Sequence, residues 1–282
     1  MRHETKFTFI LGLISAVCVY CYSIHQISAK DEDGLLNSDA FHPENKLSAY
    51  YQCYSNPRAV EEVLKNFRHF YPSSEIIMVN DGGDLSLKTL AKYYNAKYSY
   101  SNRTSDRKSS MFFSSDIAAF TYFSRILDAS ADCDWLLLLE DDVWVLDRIP
   151  LHTFHHTLNG GHSEMILDDI LAEVIWNSKT NTTKPANHPD EPLQYAGNGG
   201  TIMRCSFFRD IKRMAIWKED IAAILRAKPV LASDELISSI TYLAGGSIGT
   251  FRGYMEPKFF WFLYSFLTGD ISVLHQAKFL YQ

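Results

Sequence analysis

Glu140, Asp141 and Asp142 stand side by side directly after four leucines at 136–139. Adjacent carboxylates repel one another, and a cation, a hydrogen-bond donor or water has to compensate. Glutamate and aspartate oxygens are hard ligands that suit Mg²⁺ or Mn²⁺, and such an ion can also hold a diphosphate. The plain alternative is a solvated acidic turn. A second candidate is Asn80-Asp81-Gly82-Gly83-Asp84, which closes a short apolar run. Its glycines allow a sharp turn and a close approach to a ligand, and Asp81 could accept hydrogen bonds from a base or ribose. An ordinary turn would look the same. Around Asn198, Gly197, Gly199 and Gly200 form a loop against whose backbone N–H groups a sugar could lie, or a tight hairpin. Asp234 and Glu235 follow Ser233, a natural N-cap, so they read as the first turn of a helix whose dipole favours anions. His275 and Lys278 lie three apart near the C-terminus. The histidine could ligate a metal and the lysine could neutralise a phosphate. His152, His155, His156 and His162 lack the spacing of a zinc site and read as a polar loop.

Something must carry these groups to one place. Residues 48–55 read as a first strand, and Asn56-Pro57 as the start of a helix. Val60, Val63, Leu64 and Phe67 give that helix an apolar stripe. Residues 75–80 read as a buried strand stopping at the glycine turn. Leu87, Leu90, Ala91 and Tyr94 suggest a second helix, and residues 115–129 a third. Residues 135–139 are the next buried strand. Strands alternating with helices in this way predict an α/β fold with a mostly parallel sheet covered on both faces. Ligands bind beyond the carboxyl ends of such strands. Asp81 and Asp142 are therefore expected together at that edge, with the Asp142 side chain solvated.

The 282 residues are 46% hydrophobic, enough for a large core, and the net charge of −6 argues against a nucleic-acid partner. Residues 7–24 carry no charge, while Arg2 and Lys6 precede them. This is the pattern of a single membrane-spanning helix with a cytosolic N-terminus. A cleaved signal peptide is the rival, for which the apolar run is long. The organisation expected is a tail at 1–6, an anchor at 7–24, a polar stem at 25–46 and a globular domain at 47–282. Cys53, Cys133 and Cys205 lack metal-ligand spacing and leave room for one disulfide. Asn102-Arg-Thr104 and Asn181-Thr-Thr183 match the N-glycosylation acceptor pattern, in keeping with a lumenal domain.

Taken in order, "NDGG", "LLLLEDD", "GNGGT", "SDE" and "HQAK" resemble the GT-A glycosyltransferase superfamily over most of residues 47–282. The resemblance implies a Rossmann-like GT-A sheet and a metal-dependent glycosyltransferase. The donor would be a nucleotide-diphosphate sugar, UDP-linked by preference, and the acceptor a glycan or glycoconjugate hydroxyl. It implies donor contacts from Asn80, Asp81, Gly82, Glu140, Asp141, Gly199, Gly200 and Lys278. Asp142, Glu140 and His275 would hold Mn²⁺ or Mg²⁺, and Asp234 or Glu235 would be the base of an inverting reaction. Retention is the alternative stereochemistry. Asp234 is the expected base, kept ionised by the helix dipole, with Glu235 rotated about 100° towards solvent. A type II anchor would place the enzyme in the Golgi or ER membrane with its catalytic domain in the lumen. The competing functions are a sugar-1-phosphate nucleotidyltransferase and a non-catalytic, membrane-tethered carbohydrate-binding protein.

The charge asymmetry around residues 7–24 yields a first prediction. In sealed microsomes the C-terminal domain should resist added protease until detergent is supplied. Digestion without detergent would reverse the orientation.

Overall fold

The computed structural model describes residues 46–102, 112–179, 192–196, 199–250, 254–255 and 273–274. Among them no helix is long and apolar enough to cross a membrane. The expected anchor at 7–24 lies outside the described residues.

Strand β1 (Leu47–Cys53) leads into helix α1 (Pro57–Phe70). The Asn56 side chain caps that helix by accepting from the Ala59 N–H at 3.3 Å, with Pro57 in the first turn, as the sequence predicts. Strand β2 (Ile76–Asp81), helix α2 (Leu87–Tyr93) and strand β3 (Lys97–Ser101) follow. Next come β4 (Phe112–Phe113), α3 (Asp116–Ala129), β5 (Trp135–Leu139) and β6 (Trp144–Val145). Beyond them lie β7 (Leu158–Ile166), α4 (Asp169–Lys179), β8 (Gln194–Ala196) and β9 (Ile202–Arg204). Two helices, α5 (Cys205–Met214) and α6 (Trp217–Ala227), precede β10 (Leu231–Ala232) and α7 (Ser233–Leu243). The last described elements are β11 (Ile248–Thr250), β12 (Tyr254–Met255) and β13 (Val273–Leu274).

The main sheet runs in the order β11-β7-β9-β5-β1-β2-β3, with β8 paired to β7. Strands β5, β1, β2 and β3 are mutually parallel, whereas β9 is antiparallel to both β5 and β7. The period-two alternation of β5 divides its side chains between two cores. Leu136 and Leu138 join Tyr50, the α3 residues Phe123 and Ile126, and the α7 residues Leu236 and Ile240. Trp135, Leu137 and Leu139 join Ala49, Tyr51 and the α1 residues Val60, Leu64 and Phe67. The strand is buried on both faces, which is why it reads as an uninterrupted apolar run.

Cys133 and Cys205 form a disulfide across a sequence separation of 72 residues. They flank the antiparallel pair in which Trp135 lies opposite Arg204, so the bond clasps β5 to β9 at the amino end of β5. Cys53 is buried and free. Closing a loop of this length removes enough unfolded-chain entropy to stabilise the fold by about 4 kcal/mol. Replacing both cysteines with alanine should lower the free energy of denaturant unfolding by about 2–4 kcal/mol. A loss under about 1 kcal/mol would show that the sheet contacts hold this junction unaided.

Candidate active site

The parallel registers set Cys53 of β1 beside Asn80 of β2, and Tyr51 of β1 beside Leu139 of β5. The carboxyl ends of three strands therefore open on one edge, carrying the 80–84 turn and the 140–142 triplet. The turn is locked onto β1. The Asp84 N–H donates to the Tyr54 carbonyl at 2.8 Å. A Cβ on Gly83 would fall 1.5 Å from that carbonyl oxygen, so only glycine fits there. Asn80 is fully buried, and its amide donates to the Asp84 carbonyl at 2.7 Å and to the Tyr98 hydroxyl at 3.0 Å. Its carbonyl oxygen accepts from the Gly83 N–H at 2.8 Å. Asn80, expected on the donor, holds the turn through these bonds. Gly82 takes a positive φ of 78° at the turn's apex.

Asp81 is only 3% exposed. Arg125 of α3 donates to its Oδ1 at 2.9 Å, to Gln52 Oε1 at 3.1 Å, and to the Ser101 hydroxyl. One guanidinium thus joins the ends of β1, β2 and β3. Sequence reasoning missed Arg125. Its one signal is a cation set between Tyr122 and Ile126, on the buried stripe of an otherwise apolar helix face.

Beyond β5, the Val143 N–H donates to the Glu140 carbonyl at 3.2 Å and closes a turn through the triplet. Asp141 accepts from the Tyr51 hydroxyl at 2.8 Å. Asp142 was expected at a solvated edge, but it is buried, because Val143 and Val145 turn inward immediately after it. The chain beyond the triplet is fixed by Asn66 of α1. Its amide donates to the Val145 carbonyl at 2.8 Å and accepts from the Val145 N–H at 2.7 Å, as a neighbouring strand would. On this stretch β13 pairs with β6, with Leu274 opposite Trp144. His275 and Lys278, next along the chain, lie outside the described residues, as do Gly197 and Asn198 of the glycine loop. Among the described residues, no group of three or more His, Cys, Asp and Glu side chains could hold a metal ion.

Gly199 and Gly200 form the buried turn before β9, and the Gly200 N–H donates to the Leu138 carbonyl at 2.7 Å. Of the loop's backbone N–H groups, that of Gly200 is therefore committed to β5. Helix α7 begins at Ser233 with Ala232 as its cap residue, one residue earlier than the sequence suggests. Glu235 does not face solvent. It accepts from the Ala232 N–H at 3.1 Å, half of a capping box, and from Lys228 at 2.8 Å. Lys228 also binds Asp168, ahead of α4. Glu235 is thereby engaged in holding the helix start.

Asp234 differs from expectation in its electrostatics. Burial pushes its carboxyl up to about 6, opposed by the Glu235 N–H and aided by the negative charges of Glu235 and Glu140. The helix dipole does not prevail, because desolvation of a carboxylate outweighs it here. An unfolded aspartate titrates near 3.9, so the folded value is the raised one. The stabilising effect of the protonated form is complete below about pH 4 and is lost as pH rises through about 6. Asp234→Asn should therefore raise stability by about 3 kcal/mol at pH 7–8, with the gain vanishing near pH 4. Denaturant unfolding across that range measures it, and a pH-independent difference would contradict the assignment.

No protein-family model matches the chain, and no curated protein matches it in sequence. Solved structures do match its fold. The galactosyltransferase LgtC, in complex with donor and acceptor sugar analogues, is 16% identical, with a TM-score of 0.50 over 81% of this chain and 86% of that one. The WbbM bifunctional glycosyltransferase is 13% identical, with a TM-score of 0.45 over 84% of this chain and 47% of that one. Core-mannan synthase A of Aspergillus fumigatus, in its Mn/GDP form, is 12% identical, with a TM-score of 0.46 over 76% of this chain and 75% of that one. The parallel strands ending at two acidic turns, covered by helices on both faces, are built on the fold of the GT-A-type glycosyltransferases.

Proposed function

We propose that the chain is a metal-dependent, inverting glycosyltransferase. It moves a sugar from a nucleoside-diphosphate sugar, UDP-linked by preference, to a hydroxyl of a glycan or glycoconjugate. The observation that carries this reading is the opening of the Asp81 turn and the 140–142 triplet on one strand-end edge of the sheet. LgtC, which shares the fold, was solved with donor and acceptor sugar analogues.

The triplet supplies hard oxygen donors of the kind that Mn²⁺ or Mg²⁺ prefers. Glu140 and Asp142 would hold the ion, with His275, which follows Leu274 in the chain, as a third ligand. Bound there, the ion would supply Lewis-acid stabilisation of diphosphate charge. Asp81 would receive hydrogen bonds from the nucleoside, and Lys278 would meet the diphosphate. Asp234 is the base. A value of about 6 leaves it mostly ionised at neutral pH yet basic enough to accept a proton, since a general base works best with its pKa near the operating pH. It takes the proton of the acceptor hydroxyl as that oxygen bonds to the anomeric carbon. The bond to the phosphate oxygen breaks on the opposite side, and the nucleoside diphosphate departs with the bonding pair. The Cys133–Cys205 disulfide fits an oxidising compartment. With the charge pattern before residue 7, it supports a type II anchor and a lumenal domain.

A panel of nucleotide sugars, assayed with Mn²⁺ for donor hydrolysis and transfer, tests the reading. Asp142→Ala should abolish both, as should EDTA, and activity surviving either would remove the metal site. Asp234→Asn should lower kcat by about 10²- to 10⁴-fold with donor affinity nearly unchanged. In the unaltered enzyme, kcat should fall as pH drops through about 6. Nucleotide binding without turnover of any donor would leave a binding protein.

A further inference from the structure

Arg125 lies outside every acidic or glycine-rich motif, yet it contacts the ends of three strands. Its side chain is 13% exposed and that of Asp81 4% exposed, with Nη1 and Oδ1 2.9 Å apart. The same Nη1 reaches Gln52 Oε1 at 3.1 Å, and Nη2 reaches the Ser101 hydroxyl. Gln52 is itself held, because its Oε1 accepts from the buried Tyr50 hydroxyl at 2.7 Å. One planar fork from α3 therefore sets the relative position of three successive parallel strand ends. We propose that Arg125 is a positioning residue for donor binding, acting through Asp81; this rests on the glycosyltransferase reading above.

The physical case has two parts. A carboxylate this far from water is disfavoured as a charge unless a cation is close. Arg125 provides one in a fixed geometry beside the Asp81 carboxylate. The fork also restrains the carboxylate's rotation, because guanidinium geometry is planar and pre-organised, as a lysine ammonium is not. Arg125 is thus required for where Asp81 points as well as for its charge. A role of this kind is felt equally by bound donor and transition state, so its loss raises donor KM and leaves kcat in place.

UDP and GDP, each with Mn²⁺, are titrated calorimetrically into the unaltered protein, Asp81→Asn, Arg125→Met, Arg125→Lys and the Asp81→Asn/Arg125→Met double variant. Hydrogen bonds to charged groups set the expected scale. Arg125→Met should weaken whichever nucleotide binds by about 10- to 100-fold, and Arg125→Lys should recover part of that. In the double variant, loss of Arg125 should change the dissociation constant by less than about threefold relative to Asp81→Asn alone, because the residue acts through a partner already removed. The double variant also leaves no unpaired buried charge, so it remains measurable if Arg125→Met folds poorly. Donor KM should rise with kcat within about threefold in Arg125→Lys. Unchanged nucleotide affinity in Arg125→Met, additive effects in the double variant, or a fall in kcat at constant KM would overturn the proposal and leave the glycosyltransferase reading standing. Failure of the unaltered protein to bind either nucleotide would overturn that reading and this proposal together.

Discussion

A strand buried on both faces has no place for a charge along its length. Strand β5 meets that condition from Trp135 to Leu139, and polar chemistry is permitted only where the strand ends. The same constraint governs β1 and β2, whose apolar residues pack into one core or the other. The site lies at the carboxyl edge because the sheet's interior excludes it from anywhere else. Several of the devices described act on that edge. Asn80 and Gly83 fix one turn, Asn66 fixes the chain beyond the triplet, and Glu235 with Lys228 fixes the start of α7.

The electrostatics follow from this crowding. Carboxylates from two turns and a helix start share one partly desolvated rim. Asp81 is balanced by Arg125, and Asp168 and Glu235 by Lys228. Asp234 feels the negative charges of Glu235 and Glu140 as well as its own burial. The fold thus gives up stability at Asp234, and perturbed carboxyls of this kind cluster at functional sites.

Much of this was legible in the sequence because it depends on local pattern. The Asn56-Pro57 cap, the apolar run of β5, the helix at 233–243 and the pairing of two acidic turns at one edge all rest on periodicity and turn chemistry. What escaped depends on tertiary partners. Strand β3, "KYSYS", has its residues exposed or half-buried and no apolar run to mark it. Strand β7, "LNGGHSEMI", is rich in residues that normally signal a turn, and it becomes a strand by pairing with β8, β9 and β11. That Asn80 braces its own turn was not legible, because it depends on the return of Gly83 towards it. Arg125 carried no motif at all, since its meaning lies in strand ends far from it in the chain.

The Cys133–Cys205 bond has a use beyond its energy. Its half-cystines sit just before β5 and just after β9, with their Cα atoms 5.8 Å apart, so it can close only once β9 has docked beside β5. That docking joins the parallel half of the sheet to the antiparallel half. The bond is therefore a covalent record that the two halves have met, written at the amino end of β5 while the candidate chemistry occupies the carboxyl end. Alkylation of Cys133 and Cys205, read by peptide mass, would count chains whose sheet never completed, with no ligand or activity assay involved.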